Sequence, residues 1–431
     1  MASQTSVDVS VFSEISQLRE VLVHSPGVEV DVMPPSLMSE LLFDDIIYGP
    51  RARREHRQFR SILEKLGVVV RDQQQLLEEA ITASKDHIPE LVTEVSVREG
   101  LEESLSRELL EMSPRDLAAA LVEGILVSPE HMHPDHLFRL FPLPNLLFSR
   151  DAQVVIGEDI VIAGMSRKAR RREPVLSRFV FRHHPSLHSE RVLVDFPRLR
   201  STNGASNAVP SFEGGDVLIF GEGIVIIGVS ERTMEVSVNI LTESLRNHEI
   251  FHTLIMVPMP RHRTVMHLDT IFTRSSEDEC LAYGPMIASG NDETLSAISI
   301  DLRNSHDWGT RHPSLLDALK KQRVDLNPIY CGSSGDYIQQ SREQWTDGAN
   351  SFAIAPGVIL LYSRNEATAD ALAAKGYEVI ASSRMTFTED WRCLYHFEPG
   401  KKYAILVCGE ELSRARGGPR CMTMPLRRDE I

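Results

Sequence analysis

The C-terminal end of the chain carries a cysteine whose surroundings suit a reactive thiol better than a core residue. Cys421 follows the run Arg416-Gly417-Gly418-Pro419 and stands beside Arg420. A nearby positive charge favours the thiolate form of cysteine, and the thiolate is the nucleophile. We therefore take Cys421 as a candidate nucleophile, which needs a base and a group that holds its electrophile.

Three other motifs supply an imidazole and carboxylates: Arg150-Asp151, Glu213-Gly214-Gly215-Asp216 and His267-Leu268-Asp269. Each is weak evidence alone, because two glycines before a hairpin can serve a backbone with positive φ, and a histidine on a strand is more often structural than catalytic. Residues two apart on a strand face the same side. We therefore expect His267 and Asp269 to share one pocket if that side faces inward.

Together these residues form a set of one thiol, one imidazole and four carboxylates. Its members are Cys421, His267, Asp151, Glu213, Asp216 and Asp269. The surplus of carboxylates would destabilise the oxyanion that a cysteine protease must form. It suits a cationic electrophile, because a planar guanidinium gripped by two carboxylates presents its carbon to the sulfur. The set therefore indicates guanidine chemistry.

Composition narrows the class of protein and of partner. The 431 residues carry 46 lysines and arginines against 61 aspartates and glutamates, and the net charge of −15 argues against nucleic acid or an anionic membrane as a partner. Five cysteines without a C-x-x-C pair favour a reducing compartment and give no zinc signature. Residues 1–8 lack the features of an export signal, and no apolar stretch is long enough to span a membrane. We expect a cytoplasmic protein.

Two further clusters and the remaining cysteines receive less specific interpretations. The run His131-Met132-His133-Pro134-Asp135-His136 is broken by proline and lacks the i, i+4 spacing of helical zinc ligands, so we do not expect zinc there. The basic run 167–172 is interpreted as a solvated face or an anchor for a carboxylate. The other cysteines are expected to be small core residues: Cys280, Cys331, Cys393 and Cys408.

A unit of strand, hairpin and helix recurs about five times along the chain. Hairpins are predicted at 154–162, 217–226 and 351–361, each directly after a polar motif. Units of a helix followed by a strand are predicted, with helices at 51–65, 174–181, 241–246, 315–321 and 367–375 and strands at 68–70, 192–194, 254–256, 324–326 and 379–380. Residues 1–72 and 141–431 are thus predicted to form a ring of repeats with the polar residues converging at its centre. Residues 73–140 show no strand signal and are predicted to be an inserted helical bundle.

These motifs, in this order, resemble those of the arginine deiminases, a family of guanidine-modifying enzymes with the pentein fold. The resemblance covers nearly the whole chain. It is carried by the segments 41–45, 144–151, 212–216, 266–270, 342–350 and 416–422, with sequences LLFDD, PNLLFSRD, FEGGD, MHLDT, REQWTDGAN and RGGPRCM. It implies an α/β fold, a five-bladed pseudo-symmetric pentein propeller with an inserted α-helical domain.

The resemblance implies catalytic roles for five residues. Cys421 would attack the guanidinium carbon, while Asp151 and Asp269 would bind the guanidinium nitrogens. His267 would protonate the departing ammonia and then activate water, with Glu213 supporting the site. The implied reaction hydrolyses L-arginine to L-citrulline and ammonia through a covalent S-alkylthiouronium on Cys421, with no cofactor and no metal.

Further residues match substrate contacts or supporting positions of the family. The implied substrate contacts are Asn145, Phe148, Arg170 and Arg232, with the two arginines at the α-carboxylate, which agmatine lacks. Asp216 is assigned a supporting role, and Arg416 and Gly417 are assigned to a gate over the pocket.

Alternatives remain open from the sequence. An amidinotransferase or a methylarginine hydrolase uses the same core residues, and an inactive arginine-binding protein would keep the fold without the reaction. Two departures from the family pattern, Ala415 and Arg420, bear on loop opening and on the pH optimum. Whether the protein forms a homo-oligomer is also left open.

Overall fold

The computed structural model describes residues 9–199, 210–248 and 250–430, so the N-terminal segment 1–8, where we predict no export signal, lies outside it. Within the described ranges, no helix is long and apolar enough to cross a membrane. The α-helices are Val28–Asp31, Gly49–Lys65, Gln73–Ala83, Ile88–Glu99, Glu103–Glu111, Pro114–Glu123, Glu173–His183, Glu235–Arg246, Gly284–Ile287, Leu315–Lys321, Tyr337–Trp345 and Glu366–Ala374.

Five sheets in the described part of the chain repeat one pairing pattern: a central strand has an antiparallel neighbour on one side and a parallel neighbour on the other. In the order antiparallel, central and parallel, the strands of the first sheet are Met424–Arg428, Leu18–Val23 and Val69–Asp72, and those of the second are Gln153–Ile156, Asp159–Ile162 and Val192–Asp195. Those of the third sheet are Val217–Gly221, Ile224–Val229 and Thr253–Pro258, and those of the fourth are Phe272–Arg274, Glu279–Ala282 and Asn327–Tyr330. Those of the fifth sheet are Phe352–Ala355, Val358–Tyr362 and Tyr403–Val407. Ala297–Asp301 and Thr310–His312 extend the third sheet, and Glu378–Ala381 extends the fifth.

The first of these sheets joins the two ends of the chain. Its central strand, Leu18–Val23, pairs with Met424–Arg428, and Leu22 lies opposite Met424. Cys421 therefore lies three positions before a strand that is paired with the N-terminal strand Leu18–Val23.

The predicted hairpins are confirmed, and their turns explain why. Gly157 and Gly357 adopt left-handed backbone conformations with φ of 64° and 75°, which glycine reaches without a steric cost. In the hairpin at 217–226 the turn is Glu222-Gly223, with φ of 49° and 69°. The runs of apolar residues on either side then pair across each turn.

Residues 73–140 contain four helices, and Ser113 begins the last of them as predicted, with its Oγ accepting the N–H of Asp116 at 3.2 Å. The prediction of no strand in this segment was wrong, because Ile125–Leu126 pairs with Phe138–Leu140. Both strands are too short to show a period of two in sequence. Leu76 and Leu121 belong to the same buried cluster as Val154 of the second sheet, so this segment packs on the sheets.

Two local predictions were wrong. The strand expected at 324–326 is Asn327–Tyr330. The segment after His267 is a 3-10 turn, Leu268–Thr270, and not a strand. Asp216 Oδ1 accepts the N–H of Leu268 at 2.9 Å, and Thr270 Oγ1 donates to the carbonyl of His267 at 2.6 Å, so side chains take the backbone groups that a strand partner would use.

Candidate active site

Short turns at the ends of strands carry the candidate residues and are tied to one another. The N–H of Arg150 donates to the carbonyl of Cys421 at 3.1 Å. The N–H of Gly214 donates to the carbonyl of Asp151 at 3.1 Å. These bonds join segments from three parts of the chain, so the side chains they carry are held at fixed relative positions.

Cys421 is 5% exposed, and its sulfur faces a carboxylate. Sγ lies 3.8 Å from Oδ2 of Asp269. Asn350 connects the two residues, because its Oδ1 accepts the N–H of Cys421 at 3.2 Å and its Nδ2 donates to the carbonyl of Asp269 at 3.0 Å. Sequence reasoning assigned no role to Asn350, although its motif precedes a hairpin as the other polar motifs do.

The environment of Cys421 favours the neutral thiol. Burial raises the pKa of the Cys421 thiol well above its usual value, and the charges of Asp269, Asp151 and Asp347 raise it further. A cation placed among these carboxylates would remove that electrostatic opposition.

His267 lies between two carboxylates. Its Nε2 is 2.9 Å from Oε2 of Glu213, and its Nδ1 is 3.8 Å from Oδ1 of Asp151. Burial alone would lower the pKa of His267, but Asp151, Glu213 and Asp216 together raise it to about 9. Burial also opposes ionisation of Glu213, yet His267 and Arg232 lower the pKa of that carboxyl to about 2. The pair is thus an imidazolium with a carboxylate near neutral pH.

Asp151 and Asp269 each use one carboxylate oxygen on a protein arginine. Oδ2 of Asp151 accepts from Arg170 Nη1 at 2.6 Å, and Oδ2 of Asp269 accepts from Arg420 Nη1 at 2.8 Å. Oδ1 of each aspartate is buried without a hydrogen-bond partner among the described residues. Two buried acceptors whose carboxylates act on the thiol therefore remain for the N–H groups of a cation.

Arg232 and Arg170 differ in how far their own guanidinium groups are engaged. Arg170 donates to Asp151, to Glu173 at 2.8 Å and to the carbonyl of Asn145 at 3.1 Å. Arg232 makes only long ion pairs, 3.9 Å to Glu213, and its Nε has no hydrogen-bond partner in the described part of the chain. Arg232 is therefore the arginine with capacity for an added carboxylate.

Asp151, Arg170, Arg232, His267 and Cys421 line one small pocket with a volume of about 20 Å³. Glu213 and Asp269 are not among its lining residues. This volume holds about one water molecule, so the site is closed in this structure. Its lining residues are Leu42, Asn145, Phe148, Asp151, Arg170, Arg232, Arg263, Met266, His267, Thr270, Ala415, Arg416 and Cys421. Sequence reasoning missed Arg263, which pairs with Asp44 at 2.8 Å and thereby holds the segment around Leu42 over the pocket.

The segment 415–418 forms another wall of the pocket. Arg416, in the left-handed region at φ 65°, places its guanidinium carbon 3.2 Å from the centroid of the Trp345 ring. A Cβ added at Gly417 would collide with the ring of Phe148. The hydroxyl of Tyr362 donates to the carbonyl of Gly417 at 2.9 Å. These contacts hold the closed position of the segment.

Comparison with known proteins places the chain in a family. The family model described as arginine deiminase matches residues 39–389. The chain belongs to the arginine deiminase family. Curated arginine deiminases of Clostridium perfringens (strain SM101 / Type A) and Borrelia garinii subsp. bavariensis are 33% and 31% identical to it, and each alignment covers 98% of this chain and 98% of the relative.

Solved structures that share the α/β fold of this arginine deiminase family member include an amidinotransferase and an arginine dihydrolase. One match is SxtG, an amidinotransferase from Microseira wollei, with a TM-score of 0.51 and 16% identity, covering 99% of this chain and 98% of that one. Another is the N-terminal domain of ArgZ, an arginine dihydrolase from cyanobacteria, with a TM-score of 0.51 and 13% identity, covering 96% and 98%.

Asp216 and the paired glycines support the turns that carry the candidate residues. Oδ2 of Asp216 accepts from Ser230 Oγ at 2.6 Å, while its Oδ1 accepts the N–H of Leu268. Burial raises the pKa of Asp216 to about 7. A Cβ at Gly215 would lie 2.6 Å from His267 Nδ1. Neither glycine of the motif has a positive φ, so close approach to the imidazole explains Gly215.

Three of the site residues form a group that could hold a metal ion. Asp151, Glu213 and His267 bring ligand-type atoms within 4.8 Å of one another. Their acceptors are largely taken by protein donors, since Glu213 Oε1 accepts the N–H of Ser166 at 3.0 Å and Asp151 Oδ2 accepts from Arg170.

The remaining predictions concern the histidine run 131–136, the basic run 167–172 and the other cysteines. Within the part of the chain that the structure describes, the histidines of 131–136 form no such metal-binding group. Arg170 and Arg172 of the basic run are buried at 3% and 1% exposure, so a solvated face was wrong for them. Cys280, Cys331 and Cys393 are buried as expected, and Cys408 is partly exposed.

Proposed function

We propose that the protein is an arginine deiminase, which hydrolyses L-arginine to L-citrulline and ammonia. The observation that carries this proposal is the pair of unpartnered Oδ1 atoms of Asp151 and Asp269 beside the thiol of Cys421. A guanidinium is a planar cation whose N–H groups match two such acceptors. Family membership and relatives named arginine deiminase support the same reaction.

Binding of the guanidinium prepares the nucleophile. The cation offsets the negative charges of Asp151 and Asp269, so the pKa of the Cys421 thiol falls and the thiol loses its proton. The thiolate attacks the guanidinium carbon and forms a tetrahedral adduct. The imidazolium of His267 donates one hydrogen bond to Glu213. It gives a proton to the leaving nitrogen, and ammonia departs.

The second half of the reaction releases the product. The carbon now carries an S-alkylthiouronium bond to Cys421. Neutral His267 takes a proton from water, and the resulting hydroxide adds to this carbon. Collapse of this adduct breaks the C–S bond, and the hydroxyl proton passes to the departing sulfur. The product is the ureido group of citrulline, whose oxygen comes from water, and the thiol of Cys421 is regenerated.

Arg232 is proposed to bind the α-carboxylate of the substrate, with Asn145, Phe148 and Arg170 completing that end of the pocket. The free Nε of Arg232 supports this role. Arg170 supports Asp151 through its 2.6 Å hydrogen bond as well. A substrate without a carboxylate would leave the Nε of Arg232 buried without a hydrogen-bond partner.

Substrate entry requires the pocket to open, because about 20 Å³ does not admit arginine. We assign this movement to the segment of Arg416 and Gly417. The guanidinium of Arg416 lies over the ring of Trp345, and the backbone of Gly417 lies close to the ring of Phe148.

Several broader assignments accompany the reaction. The five sheets with one pairing pattern support a five-bladed pentein propeller formed by residues 1–72 and 141–431, with 73–140 as a helical insertion. The free thiols among the described residues support a reducing, cytoplasmic setting. Assembly into a homo-oligomer is open to a measurement of mass in solution.

The test is an assay of purified protein with L-arginine, agmatine and dimethylarginine in parallel. We expect citrulline and ammonia in equal amounts from arginine alone. Ornithine formed with an amine acceptor would instead assign an amidinotransferase, and methylamine release from dimethylarginine only would assign a methylarginine hydrolase. Arginine binding by calorimetry without turnover would overturn the proposal in favour of an arginine-binding protein.

A further inference from the structure

We propose that Glu14 is a positioning residue of this active site. It holds Arg420 so that Arg420 fixes Asp269 beside Cys421, and its charge helps to set the ionisation of that thiol. The kinetic part of this inference rests on the proposed arginine hydrolysis, whereas the part about the thiol does not.

Glu14 grips Arg420 through two parallel hydrogen bonds. Oε2 accepts from Nε at 3.1 Å, and Oε1 accepts from Nη2 at 3.0 Å. This geometry fixes the plane of a guanidinium as well as its position. The carbonyl of Val217 accepts from Nη2 at 2.7 Å, and the N–H of Ile219 donates to Glu14 Oε1 at 3.1 Å. Arg420 is 1% exposed, and each of its three guanidinium nitrogens donates a hydrogen bond.

The remaining end of Arg420 meets the reacting groups. Nη1 donates to Oδ2 of Asp269 at 2.8 Å, and this same oxygen lies 3.8 Å from Sγ of Cys421. Oδ2 is therefore held in place, and the direction of the unpartnered Oδ1 of Asp269 follows from it. Displacing Arg420 would turn the carboxylate that we assign to the guanidinium.

Glu14 also faces a buried basic cluster, which we define as Arg150, Arg420 and Arg428. Burial opposes ionisation of Glu14, but Arg420, Arg150 and Arg428 lower its pKa. Burial lowers the pKa of Arg150 to about 9 and of Arg428 to about 10, and the charge of Arg420 contributes to both shifts. Glu14 is thus a negative charge that offsets three buried positive ones.

Removing that charge changes the potential at the thiol in a known direction. The charged and titratable groups around the thiol are Asp151, Asp269, Asp347, His267, Arg416, Arg420 and Tyr362. With Glu14 neutral, the basic cluster is less compensated, so the Cys421 thiolate is favoured and its pKa falls. Arg420 then also neutralises Asp269 more fully, which weakens the hold of Asp269 on a cationic substrate.

The decisive variant is Glu14→Gln, which keeps the size of the side chain and loses its charge. The matched control is Asp429→Asn, which breaks an exposed ion pair with Arg19 between the same two ends of the chain. The first readout is the pH dependence of Cys421 alkylation by iodoacetamide without substrate, with Cys421→Ser as the blank. We expect Glu14→Gln to shift this dependence to lower pH by about half a unit or more and the control to leave it unchanged.

The second readout is steady-state kinetics with arginine. We expect Glu14→Gln to raise KM roughly ten-fold while kcat changes less, because the affinity of Asp269 for the cation is what falls. A folded Glu14→Gln protein with the alkylation profile and KM of the parent overturns the proposal. If wild type makes no citrulline, the proposed function fails, and the alkylation profile still decides the role of Glu14.

A shorter acidic side chain covers the case in which Glu14→Gln does not fold. Glu14→Asp retains the charge but cannot grip Arg420 from the same position. We expect the parent's alkylation profile with a KM raised about three-fold. A KM of Glu14→Asp equal to that of the parent would show that the paired hydrogen bonds to Arg420 do not position Asp269. A shifted alkylation profile in Glu14→Asp would contradict the role assigned to the charge of Glu14.

Discussion

Sγ of Cys421 lies 3.8 Å from Oδ2 of Asp269, so the proposed nucleophile is next to a group that opposes its ionisation. Burial, Asp269, Asp151 and Asp347 all raise the pKa of this thiol. The same carboxylates are what a guanidinium would bind. Reactivity of the thiol and binding of a cation are therefore linked in this site.

Binding of a guanidinium should produce the thiolate at neutral pH. Adding methylguanidinium to the protein at pH 7 is expected to raise the near-ultraviolet absorbance of thiolate, because the cation offsets the charges of Asp151 and Asp269. The measurement is the difference spectrum between the wild type and Cys421→Ser at equal ligand. A cation that binds, as shown by calorimetry, without any such difference would separate binding from activation of the thiol.

Loss of the Glu213 charge should move the alkaline limb of the pH profile of kcat/KM. His267 has a pKa raised to about 9, so it is in the acid form below that pH and loses its proton above it. Glu213 raises this pKa, so Glu213→Gln lowers it, and the acid form is lost at lower pH. We expect the alkaline limb of kcat/KM to shift to lower pH and kcat to fall about a hundred-fold.

The matched control for that experiment is Glu279→Gln. Glu279 is another buried glutamate, and it bonds to Tyr377 and Lys402 at 2.8 and 2.9 Å away from the pocket. Its replacement is expected to reduce thermal stability without moving the pH profile. An unmoved alkaline limb in Glu213→Gln would show that His267 is not the titrating acid.

Arg232→Gln should weaken recognition of the substrate's carboxylate. Charge-assisted hydrogen bonds contribute about 1.5–3 kcal/mol, so kcat/KM for arginine is expected to fall about ten- to hundred-fold. The measurement is kcat/KM for arginine and for agmatine in both proteins. We expect the preference for arginine to shrink.

A buried arginine outside the pocket provides the comparison for Arg232. Arg178 pairs with Asp195 at 2.9 Å, and Arg178→Gln is expected to lower stability while the ratio of kcat/KM for the two substrates stays at its wild-type value. Equal ratios in Arg232→Gln and the wild type would remove Arg232 from the carboxylate site.

A side chain at Gly417 should impair turnover more than folding. A Cβ there would collide with the ring of Phe148, so Gly417→Ala must shift the segment that covers the pocket. We expect kcat to fall about ten-fold or more, with a small change in Tm. Gly400→Ala is the control, because Gly400 has a φ of 78° with open space around it and is expected to lose only stability. Wild-type kinetics in Gly417→Ala would argue against a gate.

Sequence alone determined the local elements and the type of chemistry. The helix Gly49–Lys65 and the hairpin turns at Gly157 and Gly357 follow from short-range patterns of apolar residues and glycine. The set of one thiol, one imidazole and four carboxylates indicated a cationic substrate without any coordinates. The short strands Ile125–Leu126 and Phe138–Leu140 were missed because they are too short to show a period.

Only the tertiary structure decided how these side chains are paired. Glu14 and Arg420 are 406 residues apart, and Asp269 and Arg420 are 151 residues apart, yet they form one hydrogen-bonded chain behind the thiol. The sequence marks Arg420 as a charged neighbour of Cys421 and as a departure from the family, and it gives Glu14 no signal. The physical reason is that burial makes partners obligatory for charged groups, whereas which partner is near depends on how distant strands pack.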